Sequence, residues 1–127
     1  MSRLRSPIAR ARGLGSAKDG TGHFWAQRLT AIALVPLLIW FVASVVGLSG
    51  MTYTEVAAWF ESPLNATLFV ILLLSLAWHS MLGLQVIVED YLHHAGLKMA
   101  VLITLKFAHI LLAVAAIYAV LRIGIGV

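Results

Sequence analysis

Residues 64–91, LNATLFVILLLSLAWHSMLGLQVIVEDY, decide the fold. Residues 64–88 hold no charged side chain, and about 18 mostly apolar residues in a row are enough to predict a membrane-spanning helix. At about 1.5 Å per residue these positions cover roughly 37 Å, which crosses a hydrocarbon core of about 30 Å with some tilt. His79 lies inside this run. Ionisable groups at that depth are costly and usually face a partner in a helix bundle, so His79 is a candidate functional residue.

The composition indicates an integral membrane protein. The chain has 127 residues, of which 61% are hydrophobic and 11% are charged, against about 25% charged residues in soluble domains. We expect an all-α fold whose residues 23–127 form three transmembrane helices, at about 29–48, 64–88 and 97–121. This leaves no room for a nucleotide-binding fold. The absence of cysteine excludes disulfides and thiolate ligands from this chain.

The charges predict the orientation in the membrane. Six of the nine Lys and Arg residues lie in the first 28 positions, and residues 49–63 hold none. By the positive-inside rule, the N-terminus and the turn at 89–98 are cytoplasmic, and the C-terminus is outside. Residues 1–22 are therefore interpreted as a basic cytoplasmic segment, with a mitochondrial transit peptide as the alternative. The same clustering makes the net charge of +4 a topology signal and not evidence of nucleic-acid binding.

His79 has two interpretations from spacing alone. Gly83 lies one turn away on the same helix face, and a missing side chain beside an imidazole leaves space for a flat macrocycle such as haem. The alternative is an interhelical hydrogen bond, worth roughly 1 kcal/mol. His109 on the third span is expected at a similar depth. It is either a second haem ligand from this chain or, preferably, a hydrogen-bonding residue of the bundle.

Three further candidates lie near the cytoplasmic membrane boundary. Arg28 either snorkels to lipid headgroups or pairs with an anionic group such as a carboxylate or a cofactor propionate. Tyr91 beside Asp90 can hydrogen-bond a quinone carbonyl and supply protons. On spacing alone, an interfacial aromatic residue and a solvated helix end are the favoured interpretations of this pair. The roles of His93 and His94 stay open.

Two segments resemble a known family. Residues 79–91, HSMLGLQVIVEDY, resemble the H-x3-G-x2-Q-x4-D-Y segment of the small hydrophobic membrane anchor subunit of succinate dehydrogenase, although Gln85 lies one position earlier here. Residues 28–32, RLTAI, are similar to the R-x-T-A-I segment of the same family. The number of spans, the chain length and the orientation agree with it over essentially the whole chain.

The resemblance implies a role for each matching residue. His79 would be an axial ligand of the iron of haem b, with the other ligand supplied by a larger cytochrome b anchor subunit. Arg28 would lie near the haem propionates and the quinone pocket. Tyr91 would hydrogen-bond ubiquinone, with Asp90 as the neighbouring acid. His109 has no counterpart in the family motif.

The resemblance also implies a function for the chain. We expect a membrane anchor of a succinate:quinone oxidoreductase in a bacterial inner membrane, without succinate chemistry of its own. Its expected partners are an FAD-bearing flavoprotein, an iron–sulfur subunit with its clusters, the cytochrome b anchor and membrane lipid. The alternatives are the anchor of a quinol:fumarate reductase, or a non-enzymatic helical membrane protein such as an assembly factor.

Overall fold

The computed structural model describes residue 8 and residues 20–126. The predicted basic segment at 1–22 lies largely outside this part of the chain, so the division at residue 22 stays a prediction. Four helices make up the described fold, which contains no strand within residues 20–126. They are α1 (Gly20–Leu48), α2 (Tyr53–Glu61), α3 (Pro63–Tyr91) and α4 (Ala95–Ile125).

The prediction of an all-α protein with three membrane-spanning helices is confirmed. Thr21–Leu48, Pro63–Tyr91 and Ala95–Ile125 are each long and apolar enough to cross a bilayer. The first helix begins at Gly20, whereas the span was predicted to begin at residue 29. A run of apolar residues predicts only the part of a helix that lies in lipid. Polar turns that extend the helix beyond the lipid are not predicted by it.

Local chemistry determines where the helices begin and end. Pro63 occupies the start of α3, where its missing N–H leaves no helical bond unmade. His94 precedes α4 and its Nδ1 accepts a hydrogen bond from the backbone N–H of Leu97 at 3.3 Å. Gly126 ends α4 in the left-handed conformation with a φ of 73°, which glycine adopts without steric cost.

The short helix α2 lies between the first two spans and starts with a capping interaction. The Glu55 carboxylate accepts hydrogen bonds from the backbone N–H and the hydroxyl of Thr52, both at 2.7 Å. These bonds, the backbone one first, lower the pKa of Glu55 from its usual value of 4.5. Because the folded pKa is depressed, the cap is fully formed above pH 4.5 and weakens as the pH falls through the lowered value.

The central helix α3 packs against both α1 and α4, and each neighbour runs antiparallel to it. Leu34 and Leu37 of α1 bury themselves against Leu72 of α3. Near α2, an aromatic cluster ties the ends of α1, α2 and α3 together, with Trp40 stacked on Trp59 at 5.7 Å between ring centroids. The other members are Phe41, Phe60 and Phe69.

Few side chains are buried between the helices of the bundle. Within the described residues, six hydrophobic side chains are buried, and most large apolar side chains of the three spans are exposed. A soluble protein would not expose such a surface, since contiguous apolar area on that scale marks contact with lipid or with other chains. The end of the bundle where α1 begins and α3 ends carries the predicted site residues.

Candidate functional site

The side chain of His79 faces α1 and is held by Thr30. His79 Nδ1 lies 3.0 Å from Thr30 Oγ1. That hydroxyl also lies 2.7 Å from the carbonyl oxygen of Ala26 and 3.1 Å from that of Gln27. The hydroxyl has one proton, and when it donates to the nearer carbonyl, that of Ala26, its oxygen accepts from the imidazole. On this basis we assign the proton of a neutral His79 ring to Nδ1, since the role of this nitrogen depends on the tautomer.

The other ring nitrogen of His79 is available. The residue is half-buried, and no hydrogen bond within residues 20–126 involves Nε2. An imidazole whose Nδ1–H is held by an oxygen and whose Nε2 lone pair is free has the arrangement of a metal-ligating histidine. The geometry of this side chain therefore fits the predicted axial ligand of a haem iron.

An open groove lies between the start of α1 and the end of α3, one helical turn beyond His79. Its volume is about 670 Å³, and its walls include His23, Gln27 and Gly83. A Cβ added to Gly83 would project toward Gln27, at 3.8 Å from its Nε2, so the glycine keeps this side of α3 open. His79 itself does not line the groove, so a macrocycle beside its imidazole stays a prediction.

Two polar atoms of this groove are buried without a partner. They are His23 Nε2 and Gln27 Oε1, neither of which has a hydrogen bond within the described part of the chain. Leaving a buried polar atom unpaired costs about 1–3 kcal/mol. His23 Nε2, in the tautomer that carries its proton, can donate to an acceptor such as a carboxylate or a quinone oxygen, whereas Gln27 Oε1 only accepts and needs an incoming donor.

Arg28 lies beside this groove but does not touch His79. It is exposed, and its guanidinium carbon sits 5.1 Å from the ring centroid of Phe24, a residue that lines the groove. Thr30 follows Arg28 by two positions in α1, so their side chains point about 200° apart around the helix axis. Arg28 thus stacks on a residue that lines the groove but does not line the groove itself, and its predicted pairing with an anionic group stays a prediction.

Asp90 and Tyr91 end α3 at the same end of the bundle. Both are exposed, Tyr91 to 79%, and no hydrogen bond or ion pair within residues 20–126 involves either side chain. The structure does not bring them into contact with Arg28 or His79. Their preceding neighbour Glu89 lines the groove instead, with its carboxylate accepting from Gln85 Nε2 at 2.8 Å.

His109 is not a partner of His79. Its Nδ1 donates to the carbonyl oxygen of Leu105 in its own helix at 2.8 Å, and the ring borders a groove between α3 and α4 together with Ala77 and Trp78. His79 faces α1 on the other side of α3. The alternative in which both histidines of this chain ligate one haem is therefore wrong. His109 does form a hydrogen bond, as preferred, but the bond lies within its own helix and does not join two helices.

Comparison with known proteins identifies the family. The sequence model of the family named succinate dehydrogenase/fumarate reductase transmembrane subunit matches residues 2–121 of the chain. A succinate dehydrogenase hydrophobic membrane anchor subunit of Paracoccus denitrificans is 32% identical over 124 residues, which cover 98% of this chain and 95% of that protein. The subunit of the same name from Rickettsia bellii is 33% identical over 121 residues, covering 95% of this chain and 97% of that protein.

The chain belongs to the succinate dehydrogenase/fumarate reductase transmembrane subunit family. It is accordingly a membrane anchor and a component of an enzyme complex, and the predicted family is confirmed. Within residues 20–126 no group of three or more His, Asp or Glu side chains could hold a metal ion.

Sequence reasoning missed two residues of the site in this anchor subunit, His23 and Gln27. Together with Thr30 they follow an i, i+4, i+7 spacing, which places them on one face of α1. A polar stripe with this spacing at the start of an apolar helix was the available signal. Whether this stripe faces α3 depends on the register of α1 against α3, and the stripe alone does not determine that register.

Proposed function

We propose that the chain is the small membrane anchor of a succinate:ubiquinone oxidoreductase in a bacterial inner membrane. It binds haem b and ubiquinone together with a cytochrome b anchor subunit, and it docks an iron–sulfur subunit that receives electrons from an FAD-bearing flavoprotein. The family match, the bacterial relatives and the three apolar helices support this proposal. The chain itself performs no succinate chemistry.

The observation that carries the proposal is the state of the His79 ring. Thr30 holds Nδ1–H, which leaves the Nε2 lone pair for the iron of haem b. Gly83 keeps the adjacent face of α3 free of a side chain. When bound, haem b supplies one-electron redox chemistry at its iron. As in the family that the chain resembles, the cytochrome b anchor would supply the other histidine ligand.

The propionate end of the haem would be held near the start of α1. The guanidinium of Arg28 presents several N–H donors to a carboxylate. The unpaired Nε2 of His23 would provide a further partner inside the groove as an N–H donor. These groups would compensate the negative charge of the propionates.

Ubiquinone binds at the end of α3. The phenol of Tyr91 donates a hydrogen bond to a quinone carbonyl, which orients the ring and favours negative charge on that oxygen during reduction. Asp90 is the neighbouring acid and assists protonation of the quinone at the membrane surface. The exposure of both side chains supports a pocket that is completed by partner subunits.

The family description favours one alternative, the anchor of a quinol:fumarate reductase. The same groups would serve that reaction, since it runs the electron path in reverse. No observation favours a non-enzymatic helical membrane protein. Purification of the complex with its partners tests the proposal: we expect a red preparation with a b-type reduced-minus-oxidised band and bound flavin. A colourless chain without partner subunits would contradict it.

A further inference from the structure

A second groove, separate from the candidate site, lies along the first half of α4. Its volume is about 450 Å³. The polar side chains that line it are all basic or imidazole groups, namely His93, Lys98 and Lys106, and no acidic side chain lines it. Apolar walls come from Met99, Leu102 and Ile103. The groove is therefore positively charged and apolar at the same time, which suits an anionic amphiphile.

The polar and apolar groups of this groove are arranged along the membrane normal. Lys98, Leu102 and Lys106 recur every four residues and so share one face of α4. Eight residues of helix place the two lysine Cα atoms about 12 Å apart along the axis. With its 31 residues, α4 is about 46 Å long and exceeds a hydrocarbon core of about 30 Å by roughly 8 Å at each end when centred.

This geometry puts Lys98 in the headgroup region and the backbone of Lys106 inside the hydrocarbon core. The Lys106 ammonium is exposed and has neither a hydrogen bond nor an ion pair within residues 20–126. The Lys98 ammonium contacts only a neutral group, the carbonyl oxygen of Glu89 at 3.3 Å. An unpaired ammonium at that depth is unfavourable unless it snorkels to the surface and meets an anion there.

We propose that this groove binds an anionic phospholipid. The phosphate lies against the ammonium groups of Lys98 and Lys106, with His93 at its outer side. The lipid passes Met99, Leu102 and Ile103, which lie between the two lysines, and its acyl chain continues beyond Lys106 along the apolar groove that Lys106 also lines, with Ile110, Ala113 and Val114. Charge complementarity selects the anionic headgroup, and these apolar walls select a lipid over free phosphate. The groove shares no lining residue with the groove between α1 and α3.

Lipid retention by the assembled complex tests this site. We would wash the detergent-purified complex, add dioleoylphosphatidylglycerol or dioleoylphosphatidylcholine, and measure bound lipid by native mass spectrometry. Replacing both lysines by glutamine (K98Q/K106Q) is expected to weaken binding of the anionic lipid roughly thirtyfold and leave the zwitterionic lipid unchanged. The charge-preserving pair K98R/K106R is the matched control and should retain the anionic lipid.

Labelling of the unmodified complex tests the same proposal without a variant. Phosphatidylglycerol should protect Lys98 and Lys106 from an amine-reactive ester, and phosphatidylcholine should not. Equal anionic-lipid binding by wild type and K98Q/K106Q would overturn the proposal, and so would equal labelling in the two lipids. A carbodiimide cross-link between Lys106 and a partner carboxylate would also overturn it, because a protein side chain would then occupy the groove.

Discussion

His79 Nδ1 lies 3.0 Å from Thr30 Oγ1, and this contact joins α3 to α1 inside the membrane-spanning bundle. It does more than connect two helices. With the hydroxyl proton donated to a backbone carbonyl of its own helix, the imidazole is the donor in this contact. In this assignment a threonine on one helix favours the Nδ1–H tautomer of a histidine on another and leaves Nε2 free.

Thr30→Val should weaken haem binding without removing the ligand. Valine keeps the shape of threonine but cannot accept from Nδ1–H, so the ring loses its fixed orientation and tautomer. Loss of such a supporting contact typically costs about 10–100-fold in metal affinity. Haem content per complex and the midpoint potential of the b-type band are the measurements.

The matched control for this change is Thr104→Val. Thr104 also donates to a carbonyl of its own helix, that of Ala100 at 2.9 Å, but it lies on α4 away from His79. The control should leave haem content and potential unchanged. If both valine variants behaved alike, Thr30 would have no specific role in positioning the imidazole.

Gly83→Leu should exclude the haem while the bundle still assembles. The added side chain would enter the groove one helical turn beyond His79 in the direction of Gln27, where a Cβ alone would make an ordinary contact at 3.8 Å. We expect loss of most of the b-type absorbance at unchanged subunit stoichiometry. Gly47→Leu is the control, because a Cβ at Gly47 meets nothing within 4 Å. Full haem content in the Gly83 variant would place the haem elsewhere.

Tyr91→Phe should separate two activities of the complex. The change removes one hydroxyl from an exposed ring, so quinone reduction is expected to fall by about 10- to 1000-fold, as for loss of a hydrogen-bond donor to a developing oxyanion. Succinate oxidation by an artificial dye should persist. Tyr53→Phe is matched in exposure, at 79%, and lies at the other end of the bundle. A parallel loss of both activities would count against a quinone contact.

Gly124→Ala should destabilise the contact between α4 and α2. A Cβ at this position would lie 2.9 Å from the carbonyl oxygen of Phe60, which is closer than real Cβ contacts allow. Overpacking of this kind costs about 1–3 kcal/mol, so the thermal unfolding midpoint in detergent should fall. Gly47→Ala, in open space, should leave the midpoint unchanged or raise it. An unaltered midpoint in the Gly124 variant would mean that α2 can shift freely.

Much of the fold was predictable because lipid imposes simple requirements on sequence. A run of apolar residues from Leu64 to Val88 can satisfy its backbone in a bilayer only as a helix, and α3 follows directly. The start of α1 was harder to predict. Its first turns contain polar residues such as His23, so a hydrophobicity pattern does not include them in the helix. His23 lies at a groove that residues of α3 also line.

The site was less accessible from sequence than the fold. His79 and Gly83 were identifiable because their spacing lies within one helix. The hydrogen bond between His79 and Thr30 and the unpaired atoms of His23 and Gln27 depend on the register of α1 against α3. No pattern within one helix could therefore predict them. The partners of Asp90 and Tyr91 could not be predicted from this chain, since both side chains are exposed and have no hydrogen bond or ion pair within residues 20–126.

The most direct test of the account is the optical spectrum of the assembled complex carrying His79→Ala. We expect the reduced-minus-oxidised b-type band to be lost or shifted, and added imidazole to restore part of it by replacing the missing ligand. His109→Ala is the internal control and should retain the wild-type band. A wild-type spectrum in the His79 variant, with haem content and subunit stoichiometry unchanged, would contradict the account.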